Sequence, residues 1–118
     1  MGVTYIDGVV SGPTGRERSV HFLVDSGATY SLLPHDVWTE LGLTKRRAMR
    51  FSLADGSQME RDISECHVSL DALGETHTPV ILGEPGDQPL LGAVTLEELG
   101  LVLNPFTRQL HPMRMLLV

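Results

Sequence analysis

Residues 22–34 read FLVDSGATYSLLP. An apolar run, Phe22-Leu23-Val24, ends on an acid, Asp25, and three small residues follow at once: Ser26, Gly27 and Ala28. A carboxylate at the end of an apolar strand is costly to desolvate unless something compensates it. Two arrangements do so. Asp25 can hold its own turn through an Asx-type hydrogen bond, or it can be placed for chemistry, beside small residues that let the chain turn sharply and another group come close. Three residues leave both readings open, and the rest of the chain has to decide between them.

The 118 residues suffice for one compact domain, so residues 1–118 are read as a single unit. The hydrophobic content is 42% and aromatics are few, so Val, Leu and Ile must fill the core. Twelve Gly and seven Pro, scattered along the chain, suit many short strands and turns better than a helical bundle. The net charge of −6 disfavours phosphate backbones and anionic membranes, so neither nucleic acid nor membrane is expected as a partner. Lys45-Arg46-Arg47, with Arg50, reads as a solvated loop.

The lone Cys66 cannot form an intrachain disulfide, which points to a reducing compartment. In CHVSL, Cys66, Val68 and Leu70 alternate with His67 and Ser69, so Cys66 reads as a strand core residue. Ile6 stands where a myristoylation signal needs Ser or Thr. No signal peptide and no spanning helix is expected, and the protein is expected in the cytoplasm. His21, His35, His67, His77 and His111 lack tight metal-ligand spacing, so neither a metal site nor a cofactor is expected.

Period-two patterns dominate. Val20, Phe22 and Val24 share one face of a strand, as do Met49, Phe51 and Leu53 of another. Turn signals separate such runs at 11–15, 55–56, 73–75, 83–89 and 104–105. Asp55-Gly56 between two strand patterns predicts a hairpin. Two short helices interrupt. In PHDVWTELG, Pro34 suits a first helical position, Val37, Trp38 and Leu41 share a face, and Gly42 ends the helix. In TLEELG, Thr95 and Glu98 have capping-box spacing and Gly100 supplies the stop. TELGL at 39–43 and EELGL at 97–101 are near copies, which fits a domain of two related halves, although their surrounding spacings look unequal.

The full pattern is an apolar strand, Asp25-Ser26-Gly27-Ala28-Thr29, the pair Leu32-Leu33 and a Pro-started helix; far downstream come Pro89, Leu90-Leu91-Gly92 and a second helix. In this order the chain resembles the retropepsin-like aspartic proteases, particularly their small cellular members in bacteria. Asp25-Ser26-Gly27 matches the Asp-Thr/Ser-Gly signature, and Leu90-Leu91-Gly92 the hydrophobic-hydrophobic-Gly segment beneath the catalytic loop. LADGS at 53–57 falls where the family has its flap.

The resemblance implies a mainly β fold: a single-lobed, closed, mostly antiparallel barrel of the acid protease type with one or two short helices. It implies an aspartic endopeptidase acting as a homodimer on a peptide or protein substrate. Aspartic proteolysis needs two carboxylates, and this chain carries one Asp-Ser-Gly. A two-fold axis beside Asp25 would supply the second. Asp25 would be catalytic, with Ser26, Gly27, Ala28 and Thr29 forming its loop. Leu53, Ala54, Asp55, Gly56, Ser57 and Gln58 would form the flap, and Leu90, Leu91 and Gly92 the support. Leu23, Leu82 and Leu90 are candidate pocket walls, and the tail 113–118 is a candidate interface strand, a strand on its own sheet, or a disordered end.

Viral members carry Asp at the Thr29 position and Arg at the Ala93 position, and here both halves of that pair are missing. The alternative function is a catalytically silent peptide-binding or scaffolding domain on the same fold.

Overall fold

The computed structural model describes residues 3–113. Nine strands and two short α-helices follow in chain order. The first part holds β1 (Thr4–Ser11), β2 (Glu17–Val24), β3 (Ser31–Leu33) and α1 (His35–Glu40). Next come β4 (Arg47–Ser52), β5 (Gln58–Ser69) and β6 (Glu75–Leu82), with one 3-10 turn at Asp71–Leu73. The last part holds β7 (Leu90–Leu91), α2 (Ala93–Glu98), β8 (Leu101–Leu103) and β9 (Leu110–Pro112). Seven strands form one sheet in the order β1-β2-β7-β3-β6-β5-β4, and β1 also pairs with β5. The β8–β9 hairpin stands apart. Among the described residues no helix is long and apolar enough to cross a membrane.

Alternation decides which side chains enter the core. Val20, Phe22 and Val24 of β2 are buried while their neighbours face outward. Cys66, Val68 and Leu70 do the same along β5 and its end. Phe22 is fully buried, worth about 1.5–3 kcal/mol relative to exposure. Arg18 clamps β2 to α1 through Glu40 at 2.7 Å and Asp36 at 3.1 Å. The basic run at 45–50 faces acids on the neighbouring strand: Lys45 lies 3.5 Å from Asp62 and Arg46 lies 3.8 Å from Glu65.

The near-repeat marks a symmetry that the spacings of the motifs concealed. Glu17–Val24 recurs as Glu75–Leu82, and His35–Glu40 as Ala93–Glu98 (75 − 17 and 93 − 35 are both 58). The pairings obey the same shift. Leu23 pairs in parallel with Leu90, and its counterpart Ile81 pairs in parallel with Leu32. Val10 pairs with its own counterpart Val68, and Leu32 with its own counterpart Leu90, so an internal two-fold axis runs through these two contacts. Both helices end on Leu followed by Gly in the left-handed region, Gly42 at φ 73° and Gly100 at φ 68°.

Four expectations change. Pro34 is the N-cap of α1, one place before the first helical residue. α2 starts three residues earlier than its capping-box spacing predicts, with Gly92 as N-cap and no side-chain cap. Thr95 instead lies fully buried, because its hydroxyl has better partners inside the protein than at a helix end. Leu82 belongs to the core and is no pocket wall. The tail expected at 113–118 lies outside the described residues except for Met113, whose N–H donates to the Gly100 carbonyl.

Burial pushes the Cys66 thiol up to about 12, so at neutral pH it stays protonated and unreactive. Thiol reagents should therefore label Cys66 in denaturant and leave it unmodified in the folded protein.

Candidate active site

Asp25 follows β2 directly. Its N–H donates to the Leu91 carbonyl at 3.0 Å, continuing the parallel pairing of β2 with β7. Its carbonyl accepts from the Ala28 N–H at 3.1 Å, closing a tight turn. Its Oδ1 accepts from the Gly27 N–H at 3.0 Å. The Asx-type bond is thus real, and it leaves Oδ2 without a partner among the described residues. Asp25 is half-buried and lines a cavity of about 380 Å³ with Val3, Leu23, Leu103, Pro105 and Arg108. Ser26, Gly27 and Thr29 are exposed, and Ala28 is half-buried.

Leu90-Leu91-Gly92 lies beneath this loop. β7 is threaded between β2 and β3, with Leu90 opposite both Leu23 and Leu32. The start of α2 then binds the loop from below: Ala93 N–H donates to the Ala28 carbonyl at 2.8 Å and Val94 N–H to the Thr29 carbonyl at 3.0 Å. Approach here is so close that a Cβ on Gly92 would stand 2.5 Å from the Tyr30 carbonyl carbon. Main-chain bonds therefore anchor the two positions where viral members place an Asp and an Arg.

Hydroxyls complete the support. Ser31, Thr95 and Thr78 are all buried. Ser31 Oγ lies 2.6 Å from Thr95 Oγ1, which lies 2.8 Å from Thr78 Oγ1, and Ser31 Oγ accepts from the Gly92 N–H at 2.9 Å. This chain ties β3, β6 and α2 to the second motif. Alternation places Ser31 and Thr78 inward, but nothing local reveals that they meet on Thr95.

The residues expected to form a flap make the tip of the β4–β5 hairpin. Leu53 N–H donates to the Ser57 carbonyl at 2.8 Å and Gly56 N–H to the Leu53 carbonyl at 3.0 Å. Leu53, Ala54, Asp55, Gly56, Ser57 and Gln58 are all exposed. The Ser57 hydroxyl and then the Ser57 N–H hold the Asp55 carboxyl below its usual value. Sequence reasoning missed the contact that links this hairpin to the Asp25 loop: the ring of Phe51 on β4 meets Tyr30 edge-on, with centroids 6.1 Å apart. It also missed Tyr5, stacked on His21 and receiving a bond from Gln88 Nε2 at 3.3 Å. Among the described residues no three His, Cys, Asp or Glu side chains gather as a metal site.

The internal axis sharpens the question of the second carboxylate. The position equivalent to Asp25 in the second half is Gly83. A Cβ there would stand 2.7 Å from both Leu32 Cδ2 and the Leu33 carbonyl oxygen. The second half has neither an acid at that place nor room for one.

A family profile described as "gag-polyprotein putative aspartyl protease" matches residues 14–98. The chain belongs to this family. Its matched span runs from the β1–β2 turn to the end of α2 and so includes the Asp25 loop, the β4–β5 hairpin and the second motif. Among solved structures, the retroviral protease-like domain of Ddi1 from Leishmania major is similar in fold, with a TM-score of 0.52. The two share 17% identity over 97% of this chain and 92% of the other. No curated protein matches. The retropepsin-like reading of the sequence holds, and the mainly β architecture with few short helices agrees with it.

Two outcomes follow for the aspartyl protease loop and its hairpin. Gly92→Ala should cost about 2–3 kcal/mol in urea denaturation, because the added carbon meets backbone that cannot swing aside. For Asp55, a depressed carboxyl contributes order above its ordinary value and loses it as pH falls through the lower one. The Ser57 amide resonance should therefore move only below about pH 4, and Ser57→Ala should raise that midpoint toward the ordinary carboxylate range.

Proposed function

We propose that this family member is an aspartic endopeptidase that works as a homodimer, with Asp25 of each copy forming the catalytic pair. One observation carries the reading: Asp25 sits on a pinned turn beside a cavity, while its internal counterpart, Gly83, can hold no side chain. A single copy therefore offers one carboxylate where peptide hydrolysis needs two. A second copy related by a two-fold axis beside Asp25 supplies the other. The pairing of β1 with β5, which brings the sheet back to its first strand, supports reading each lobe as a closed barrel.

The chemistry follows from like charges at short range. Two carboxylates ~3 Å apart at an effective dielectric constant of ~20 repel by roughly 5–6 kcal/mol. The pair consequently holds one proton across a broad pH window, and that proton belongs to both. The ionised member takes a proton from a water held between them. The protonated member donates a hydrogen bond to the scissile carbonyl as the water oxygen attacks.

The Gly27 N–H already reaches the carboxylate and keeps it oriented. Ser26 lies exposed beside it, free to bond its symmetry mate. Ala28 and Thr29 line the cleft. Leu53 to Gln58 close over an extended peptide and exclude water, and alternate side chains of that peptide enter pockets on either side of the strand-like backbone.

Asp25→Asn tests the reading. Its Oδ1 still accepts the Gly27 N–H, so fold and dimer should persist while cleavage of a peptide library at pH 4–7 disappears. Wild-type activity should fall as the solution turns alkaline and the pair loses its shared proton; activity rising steadily to pH 9 would refute the dyad. Peptide binding without cleavage in the wild type, unchanged by Asp25→Asn, would favour the silent scaffolding domain.

A further inference from the structure

We propose that the tip of the β8–β9 hairpin is the surface on which a second copy of this chain seats, Phe106 of each copy entering the apolar cavity beside Asp25 of the other. The proposal rests on the homodimer reading above and names the contact that makes it. Phe106 is 93% exposed, more than any other large apolar side chain described. Water is a poor environment for a whole aromatic ring, and one held out rigidly fits a knob better than a loose end.

This tip is rigid. Asn104 Oδ1 accepts from the N–H groups of Phe106 at 2.8 Å and Thr107 at 3.1 Å. Arg108 N–H donates to the Asn104 carbonyl at 2.8 Å, and Asn104 N–H to the Gln109 carbonyl at 2.9 Å. Thr4 Oγ1 on β1 donates to the Arg108 carbonyl at 3.0 Å, tying the hairpin to the sheet. Arg108 itself takes φ 58°, a left-handed backbone that a non-glycine residue keeps only when its surroundings enforce it. A presentation this ordered lowers the entropic cost of docking.

The matching hole is on the same face. The cavity of about 380 Å³ beside Asp25 has walls from Val3, Leu23, Val24, Leu103 and Pro105. Pro105 lines the hole and Phe106 is the next residue, so the knob adjoins the rim of the hole that Asp25 also lines. An isologous dimer needs that arrangement: if residue i meets residue j across a two-fold axis, j meets i, and both must lie equally far from the axis. An axis passing beside Asp25 satisfies this.

Charge points the same way. Arg108 lines the cavity and forms no ion pair among the described residues. Two Asp25 side chains on the axis gather negative charge, and two Arg108 side chains beside them offset it. A substrate side chain could use the hole, but it would leave the exposed ring unexplained.

Sedimentation of the full chain tests this. Phe106→Glu, at a site exposed enough to leave the fold intact, should weaken the dimer by at least about 100-fold, since two rings lose their burial in each dimer. Phe106→Leu should fall between that variant and the wild type. Val3→Arg, at the exposed rim of the hole, should also weaken association, and the circular dichroism spectra of all three should match the wild type. A Phe106→Glu protein that dimerises with wild-type affinity overturns the proposal, as does a wild-type chain that stays monomeric at every concentration. Loss of the dimer in Phe106→Glu from a wild type that cleaves nothing upholds the interface and sinks the peptidase reading. Persistence of the Phe106→Glu dimer with cleavage abolished only by Asp25→Asn does the reverse.

Discussion

The Asp25 N–H donates to the Leu91 carbonyl across a parallel pairing of two residues, and the order of the site radiates from that bond. β7 is only Leu90–Leu91, yet it fills the gap between β2 and β3 and bonds to both. Leu91 is fully buried, so its main-chain groups need partners, and the strand ends on either side provide them. From this wedge the chain passes through Gly92 into α2, whose first N–H groups take the carbonyls of Ala28 and Thr29. The Asp25 turn is thereby held by backbone from in front and beneath.

The internal two-fold axis relates the two halves of the lobe, and only the first half carries an acid at the equivalent position. Two hairpins of the same register, each followed by a short strand and a helix, pack against each other through Val10–Val68 and Leu32–Leu90. Symmetry would place a second acid at Gly83, but there the chain runs against Leu32 and Leu33 with no space for a side chain. The loop after β6 has another task. Trp38 Nε1 donates to the Gly83 carbonyl at 2.7 Å, and Asp87 Oδ2 accepts from the Glu84 N–H at 2.7 Å. Close packing of this half against α1 and the acid turn of the other are alternative uses of equivalent positions.

The loss of the viral Asp–Arg pair reads differently in three dimensions than in one. At Thr29 and Ala93 the chain keeps main-chain bonds, and two residues further along each segment it adds the hydroxyl relay Ser31–Thr95–Thr78. A buried hydroxyl relay works only when every member is satisfied, and no described buried side-chain polar atom lacks a partner. A cation still reaches the Asp25 cavity, but it comes from Arg108 on the late hairpin, far from the second motif in sequence.

Local signals settled much of this protein before any coordinates. Alternation at 20–24 and 66–70 marked the buried faces, because a strand shows its environment with period two. Asp55-Gly56 marked a hairpin, the Leu-Gly pairs at 41–42 and 99–100 marked helix ends, and the small residues after Asp25 marked a tight turn. Each depends on neighbours a few residues away.

Tertiary structure decided the rest. Which strand receives Leu90–Leu91, that Thr95 meets buried hydroxyls rather than capping α2, that Leu82 packs inward, and that Gly83 stands where a second acid would have to be are all long-range facts. A side chain's period tells which way it points and not what comes to meet it; partners 58 residues apart leave no mark on the local pattern, and only closing the fold brings them into contact.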